Sequence, residues 1–416
     1  MPLCPGREAF KDRLTRSAYA ERCESKKEAV AFGRRFFSLV VSPRRRRPGS
    51  RPRQDRALSG GPIVCSNPGM MRQSVLLEPG RVELREVPKP DPQPGELIVR
   101  VELAMTCGTD LKTFRRGHPM FPCPTPLGHE FTGRVSAVGA GQARFSEGDA
   151  VFVAPSGPCR ACDPCARGLE NLCDNIRVGT IALGAFADYV RVPAPVAQHN
   201  VFKRPQGLDL RHAALLEPLS CVVAGVERLD LSRRDTVLVL GAGPIGLLFV
   251  ALLKRRGIPR VVVLGKHAER LAAARSLGAD EVLDAGALDD IDAAVAEAIP
   301  GGACSVVECV GRPDTWSQAM RWARKGGEVL FFGGCASGAE VPMDTRRIHY
   351  DALTLKGAFH FTPSDVRVAL DLIASRALSL ELLVSGELPL GRLQEAFERL
   401  QAGRAIKLAI IPEECP

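Results

Sequence analysis

From Met71 onward the chain first reads in short runs where apolar and polar residues alternate: SVLLEP, RVELREVP and ELIVRVELAM, separated by Pro and Gly. Period-two alternation predicts half-buried β-strands, and GRVSAVGAG, DAVFVAPSG and GAFADYVRVPA continue the same style. The expectation is an all-β first region with long loops. Near Leu210 the period changes, and HAALLEPLSCVVAGVERL carries its apolar residues at helical spacing. After Asp235 strands and helices alternate: TVLVLGAG, PIGLLFVALLKRRG, RVVVLG and ERLAAARSLGA, followed by EVLDA, CSVVECVG, SQAMRWARKG and GEVLFFGG. Continuous apolar strands between amphipathic helices predict a parallel sheet covered on both faces. From Leu353 come a strand-like LTLKGAFHF, helices over 364–375 and 390–401, and a last strand LAIIP. The fold class is α/β, a β-rich region joined to a doubly wound parallel sheet, with no internal repeat.

The chain has 416 residues, 45% of them hydrophobic, enough for two or three domains with sizeable cores. No apolar run approaches the roughly 18 residues that a membrane span needs, so no membrane partner is expected. Fourteen cysteines without a secretory signal point to a reducing compartment, hence the cytoplasm.

The net charge of +9 is unevenly placed. Residues 1–70 hold 16 Lys/Arg against 6 Asp/Glu, which leaves 40 against 41 in the remainder. The body from residue 71 to 416 is therefore not expected to bind nucleic acid. The first 70 residues include Arg44 to Arg47 and a Pro/Arg/Ser/Gly-rich stretch from Pro43 to Pro62, a composition that resists forming a core. Arg34-Arg35-Phe36-Phe37 looks like a twin-arginine export signal, but the apolar run that follows is too short to serve. A basic, disordered extension is the expectation there.

Four cysteines form a comb, Cys159-x2-Cys162-x2-Cys165-x7-Cys173, in a hydrophilic stretch rich in Pro and Gly. Four thiolates at this spacing suit one tetrahedral Zn2+ with Zn–S bonds of about 2.3 Å, a closed and hence structural site. Disulfides and fortuitous clustering are the alternatives; neither suits a metal-wrapped loop in a chain that does not read as a small secreted scaffold.

Gly241-Ala242-Gly243-Pro244-Ile245-Gly246 fits G-x-G-x-x-G, directly after the strand TVLVL and opening a helix. The glycines allow a tight turn and the close approach of a pyrophosphate, and the helix N-terminus supplies amide donors. About 20 positions on, an acidic residue usually accepts from the ribose 2′-hydroxyl. Here that position is Gly265, followed by Lys266 and His267, with Arg270 one turn later. Losing a carboxylate and gaining cations favours NADP over NAD; the alternative is that these cations are merely solvated and NAD is bound.

A second ligand set surrounds the comb. Cys107-Gly108-Thr109-Asp110 follows a strand, Gly128-His129-Glu130 comes next, and Glu217-Pro218 begins a helix just before the nucleotide region. A thiolate, an imidazole and a carboxylate make a three-ligand zinc site with one position open, as Lewis-acid chemistry requires.

Taken together, CGTD at 107–110, GHE at 128–130, the comb, EPLS at 217–220 and GAGPIG at 241–246 carry a family resemblance. From Met71 to its end the chain resembles the zinc-dependent medium-chain dehydrogenases, in particular their polyol (sorbitol) and threonine dehydrogenase branch. The resemblance implies a GroES-like catalytic domain over 71–222 with both zinc sites, a Rossmann cofactor-binding domain over 223–355, and a return segment over 356–416. It implies two Zn2+ per subunit. Cys107, His129 and Glu130 would ligate the catalytic ion, with Glu217 as a nearby carboxylate. Thr109 would relay the alcohol proton. The family's usual histidine five positions after the first ligand is here Lys112, so the last step of that relay falls to water or to Lys112.

The implied reaction interconverts a secondary alcohol and its ketone by hydride transfer to NAD(P). Glu130, in place of a second thiolate, points to a polyol or vicinal diol, with threonine or a simple alcohol as the other substrates of this scaffold. A homodimer or homotetramer is implied as well. Two rivals remain. One is a zinc-ribbon nucleic-acid-binding protein, opposed by the near-neutral body and aromatics of only 5%. The other is a quinone reductase-like relative without zinc chemistry, opposed by Cys107, His129 and Glu130.

Overall fold

The computed structural model describes residues 69–119, 121–177, 181–232 and 235–413. All but the last two residues of the basic extension over 1–70 lie outside that range.

The alternating runs form strands as expected. β1 (Met70–Glu78) pairs antiparallel with β2 (Arg81–Pro88), and the two-residue β4 (Thr125–Pro126) completes a three-stranded sheet. A larger sheet is built on β3 (Leu97–Met105), β5 (Glu130–Val138), β6 (Ala150–Val153), β7 (Tyr189–Val192) and β8 (Val201–Lys203). Its other edge comes from the far end of the chain, where β15 (Gly386–Pro389) pairs with β16 (Leu408–Ile411) and β16 pairs with β3.

Between these ends lies the parallel sheet, in the order β11-β10-β9-β12-β13-β14. Its strands are β9 (Thr236–Leu240), β10 (Arg260–Gly265), β11 (Glu281–Asp284), β12 (Ala303–Glu308), β13 (Ala323–Phe331) and β14 (Thr354–Gly357), and each neighbouring pair is parallel. This is the doubly wound order, whose switch point between β9 and β12 opens a crevice at the strands' carboxyl ends. Val237, Val239, Val261 and Val263 enter one core, while Leu238, Leu240, Val262 and Leu264 enter another. Burial on both faces is why these strands read as unbroken apolar runs.

One helix joins the two sheets. α2 (Leu216–Val226) is buried along nearly its whole length, and its core also takes Met105 and Phe152 from the larger sheet. A helix apolar all round belongs in such an interior position. The sequence suggested one helical stretch through this region. Instead, a single turn over Leu210–Ala213 stops before α2 restarts, and Pro218 sits in the first turn of α2, where a missing N–H costs nothing.

Three further differences have local causes. α1 (Gly108–Arg116) follows β3 directly and was not anticipated; its apolar positions are few, and its N-terminus is fixed by side-chain caps. The helix expected over SQAMRWARKG stops at Trp322, because Ala323 already pairs with Ala303 in β13 and a bulge follows. The strand expected over LTLKGAFHF ends at Gly357, and His360 takes a left-handed backbone (φ 61) that leaves the sheet. Among the described residues no helix is long and apolar enough to cross a membrane.

Candidate active site

Cys107 is the N-cap of α1. Its Sγ accepts from Thr109 N at 3.5 Å, while Asp110 Oδ2 accepts from Cys107 N at 3.2 Å. The same buried Asp110 uses Oδ1 to accept from Gly128 N at 3.1 Å and stands 3.4 Å from His129 Nδ1. It thereby links two segments and holds the imidazole with its other nitrogen available for ligation. Burial disfavours charge on His129, yet the Asp110 carboxylate and the Cys107 sulfur raise its pKa well above the ordinary value. Burial, reinforced by Glu130, raises the Cys107 thiol.

Glu130 opens β5 and is 0% exposed. Its Oε2 is ion-paired with Lys407, whereas Oε1 has no hydrogen-bond partner among the described residues. Burial pushes its pKa up to about 7 against the opposing charge of Lys407. One ligand atom each from Cys107, His129 and Glu130 lies within 4.8 Å of the others. A buried carboxylate oxygen without a partner is costly, and facing a thiol and an imidazole it fits a divalent cation. Glu217, at the start of α2, is buried beside this cluster but outside it; its Oε1 accepts from Cys221 Sγ at 3.5 Å, and its charge raises the pKa of Glu130.

The cluster faces the nucleotide-binding sheet. Thr109 is exposed in the first turn of α1, and one turn on Lys112 Nζ donates to Gly334 O at 3.3 Å, beyond the end of β13. Burial and the nearby Arg116 lower the pKa of Lys112. On another side, Ser156 Oγ is hydrogen-bonded to His360 Nε2. Burial, then the charge of His129, bring His360 down to about 4, so it is neutral at pH 7.

The glycine motif lies where the sequence placed it. Gly241 has φ 104, and a Cβ on Gly246 would fall 1.8 Å from Gly241 O, so both positions demand glycine. Gly243 caps α3 (Pro244–Arg255), and a Cβ there would meet nothing within 4 Å, which leaves the helix N-terminus open to an anion. Pro244 and Ile245 form its first turn. Gly265 has a packing reason of its own, since a Cβ there would come 2.5 Å from Ala242 Cβ. Lys266 is exposed, and the His267 ring lies against Gly403. Arg270, in α4 (Ala268–Ser276), donates to Ala405 O at 2.9 Å and is thus drawn toward the C-terminal segment.

The comb also closes. Sulfurs of Cys159, Cys162, Cys165 and Cys173 lie within 4.8 Å of one another, and Cys162 Sγ is 3.8 Å from Cys173 Sγ, far beyond a disulfide bond. The backbone N–H of Ala161 holds the Cys159 thiol down at about 6, while burial pushes Cys165 up to about 12. Asn171, within the comb loop, donates to Phe359 O at 2.9 Å and so braces the residue preceding His360.

Four residues near the site carry no sequence motif, Ser156, Glu308, His360 and Lys407, and Asp110 lies in CGTD without a role that the motif alone assigns. Glu308, at the end of β12, accepts from Val310 N and Gly311 N at 2.9 Å and shapes the loop against Gly241. Lys407 had one visible signal, a lone cation inside the apolar run AIKLAII, which in a strand requires a buried partner.

Comparison with known proteins agrees with this geometry. Residues 93–205 match the alcohol dehydrogenase GroES-like domain, and residues 244–375 match the zinc-binding dehydrogenase domain. The chain belongs to the zinc-dependent medium-chain dehydrogenase family. Within it, the chain is an oxidoreductase of the polyol dehydrogenase-like branch. D-altritol 5-dehydrogenase of Agrobacterium fabrum is 32% identical, covering 78% of this chain and 94% of that protein. Sorbitol dehydrogenase of Halalkalibacterium halodurans is 30% identical, covering 80% and 96%. A solved structure from Sinorhizobium meliloti 1021, described as a zinc-binding dehydrogenase bound to NADP, superposes with a TM-score of 0.74 at 33% identity, covering 82% of this chain and 99% of that one.

Proposed function

We propose that this protein interconverts a secondary alcohol of an uncharged polyol or vicinal diol and the corresponding ketone, with zinc and NAD(P). The observation that carries the reading is the Cys107–His129–Glu130 set, with its unpartnered Glu130 Oε1, beside the crevice lined by the glycine motif. Bound zinc supplies a Lewis acid that acidifies a hydroxyl, and the nicotinamide supplies the hydride acceptor. Cys107, His129 and Glu130 hold the catalytic ion; Cys159, Cys162, Cys165 and Cys173 hold a second, structural one.

Thr109, beside Cys107, takes up the substrate proton, and Lys112 passes it to solvent; its lowered pKa eases that loss. Glu217 orients water or substrate at the open position. His360 and Ser156 receive further hydroxyls of the substrate. A neutral imidazole there offers hydrogen bonds but no charge for a phosphate, which favours an unphosphorylated polyol.

Lys266 and His267, with Arg270 behind them, favour NADP over NAD. Support comes from the NADP-bound relative. Functionally the chain divides into a catalytic part over 71–222, a cofactor part over 223–355 and a return segment over 356–416. A homodimer or homotetramer in the cytoplasm completes the reading.

The test is a screen of polyols, sugars, sugar phosphates and amino alcohols with NAD and NADP in parallel, with zinc counted per subunit. Oxidation of a neutral polyol with two zinc ions per subunit is the expected result. Turnover confined to amino alcohols or phosphorylated sugars would overturn the substrate assignment, and full turnover without zinc would overturn the mechanism.

A further inference from the structure

Lys407 is a lysine with only 1% of its side chain exposed, immediately before β16. Its Nζ donates to Thr106 O at 2.6 Å and is ion-paired with Glu130 Oε2. The backbone around it is fixed as well: Thr106 N donates to Leu408 O at 3.0 Å, and Leu408 N donates to Thr106 Oγ1 at 2.9 Å. Thr106 directly precedes Cys107. One ammonium thus clamps the two segments that carry Cys107 and Glu130, and it does so from the end of the chain.

We propose that Lys407 is a positioning residue for the metal, fixing Glu130 as a ligand through one oxygen only. The inference rests on Cys107, His129 and Glu130 being the metal ligands. With Oε2 held by the ammonium, only Oε1 is left to face the thiol and the imidazole. A carboxylate free to bind through both oxygens would occupy the coordination position that substrate requires. Charge points the same way. Thiolate and carboxylate together neutralise a divalent ion, and Lys407 restores a positive balance without adding a ligand. Burying an ammonium this deeply is expensive unless it is paired and hydrogen-bonded, and both of its partners belong to the site.

The experiment compares the full-length wild type with Lys407→Met, Lys407→Gln and Lys407→Arg. Zinc release to a chelator is followed over time, and the cobalt-substituted proteins are examined by visible absorption. In the methionine and glutamine variants one of the two ions should leave about tenfold more slowly, because a second carboxylate oxygen can join it and the repelling ammonium is gone. The second ion, in the comb, should leave at the wild-type rate. The cobalt bands should weaken as the carboxylate turns to two-oxygen binding and four-coordination is lost, and arginine should restore both readouts at least in part.

A merely structural lysine would lower the melting temperature equally with and without metal, leaving release rates and cobalt bands unchanged. That result in either uncharged variant overturns the proposal; if Lys407→Met does not fold, Lys407→Gln decides. Cys107→Ala serves as the control for the underlying reading: if it keeps both ions, the ligand assignment itself is wrong, whatever Lys407 does.

Discussion

The two ligand clusters differ in how the chain assembles them. The comb gathers four sulfurs from one loop of adjacent residues, around a single-turn helix over Asp163–Ala166 and a 3-10 turn over Glu170–Leu172. Its ligands need one another and little else. The Cys107–His129–Glu130 set draws on a helix cap, a turn and a strand end, and around it stand Asp110, Glu217 and Lys407. On the proposed reading, one cluster would saturate an ion with ligands alone, whereas the other would leave a coordination position open, its orientation coming from neighbours that are not ligands.

The comparison predicts unequal responses to equivalent lesions. The largest effect is expected from Cys107→Ala and His129→Ala, which should lower kcat/KM by about a thousandfold or more while binding of the nicotinamide cofactor survives. Fluorescence titration and metal counting check this, and an active Cys107→Ala enzyme would remove the contrast altogether. Next comes Cys159→Ser, which should lower the melting temperature by several degrees and release the comb ion, with kcat of the folded fraction kept within a few-fold. Loss of activity with an unchanged melting temperature would mean that the comb takes part in chemistry.

His360→Asn should raise KM for the polyol by about tenfold, the cost of a hydrogen bond to substrate, with a smaller change in kcat. It should also alter the acid side of the stability curve. The folded His360 titrates at about 4 against an ordinary 6.5, so its contribution is complete above pH 6.5 and is lost as pH falls toward 4. The variant should lack that part of the slope in denaturant titrations at several pH values. The smallest effect is expected at Lys266→Glu, which should shift the NADP/NAD preference by about tenfold toward NAD. The carboxylate is placed at residue 266 because a side chain at Gly265 would meet Ala242.

The sequence made the ligand sets and the glycine motif legible because their spacing is local: Cys107 with Thr109, His129 with Glu130, the comb within one loop. The doubly wound sheet was legible for a related reason, since burial on both faces writes an unbroken apolar run in each strand. What escaped depends on distance along the chain. Lys407 meets Glu130 across 277 positions, and His360 meets Ser156 across 204, separations at which no periodicity or spacing speaks. Gly265 was legible as a missing carboxylate, but its packing against Ala242 could be seen only once β10 and the glycine turn were brought together. α1 escaped because its caps, rather than an apolar stripe, define it.

The pairing of β16 with β3 sets a schedule as well as a shape. Thr106 must wait 301 residues for Lys407, so throughout synthesis the larger sheet lacks an edge while the entire nucleotide-binding sheet is being made. The comb, by contrast, is complete as soon as its loop has emerged. On the proposed reading, a nascent chain could therefore capture the comb ion early, while the Cys107–His129–Glu130 site would be finished only when β16 docks. On that same reading, chains cut short before Lys407 would hold an ion at the comb yet be unable to complete the Cys107–His129–Glu130 site.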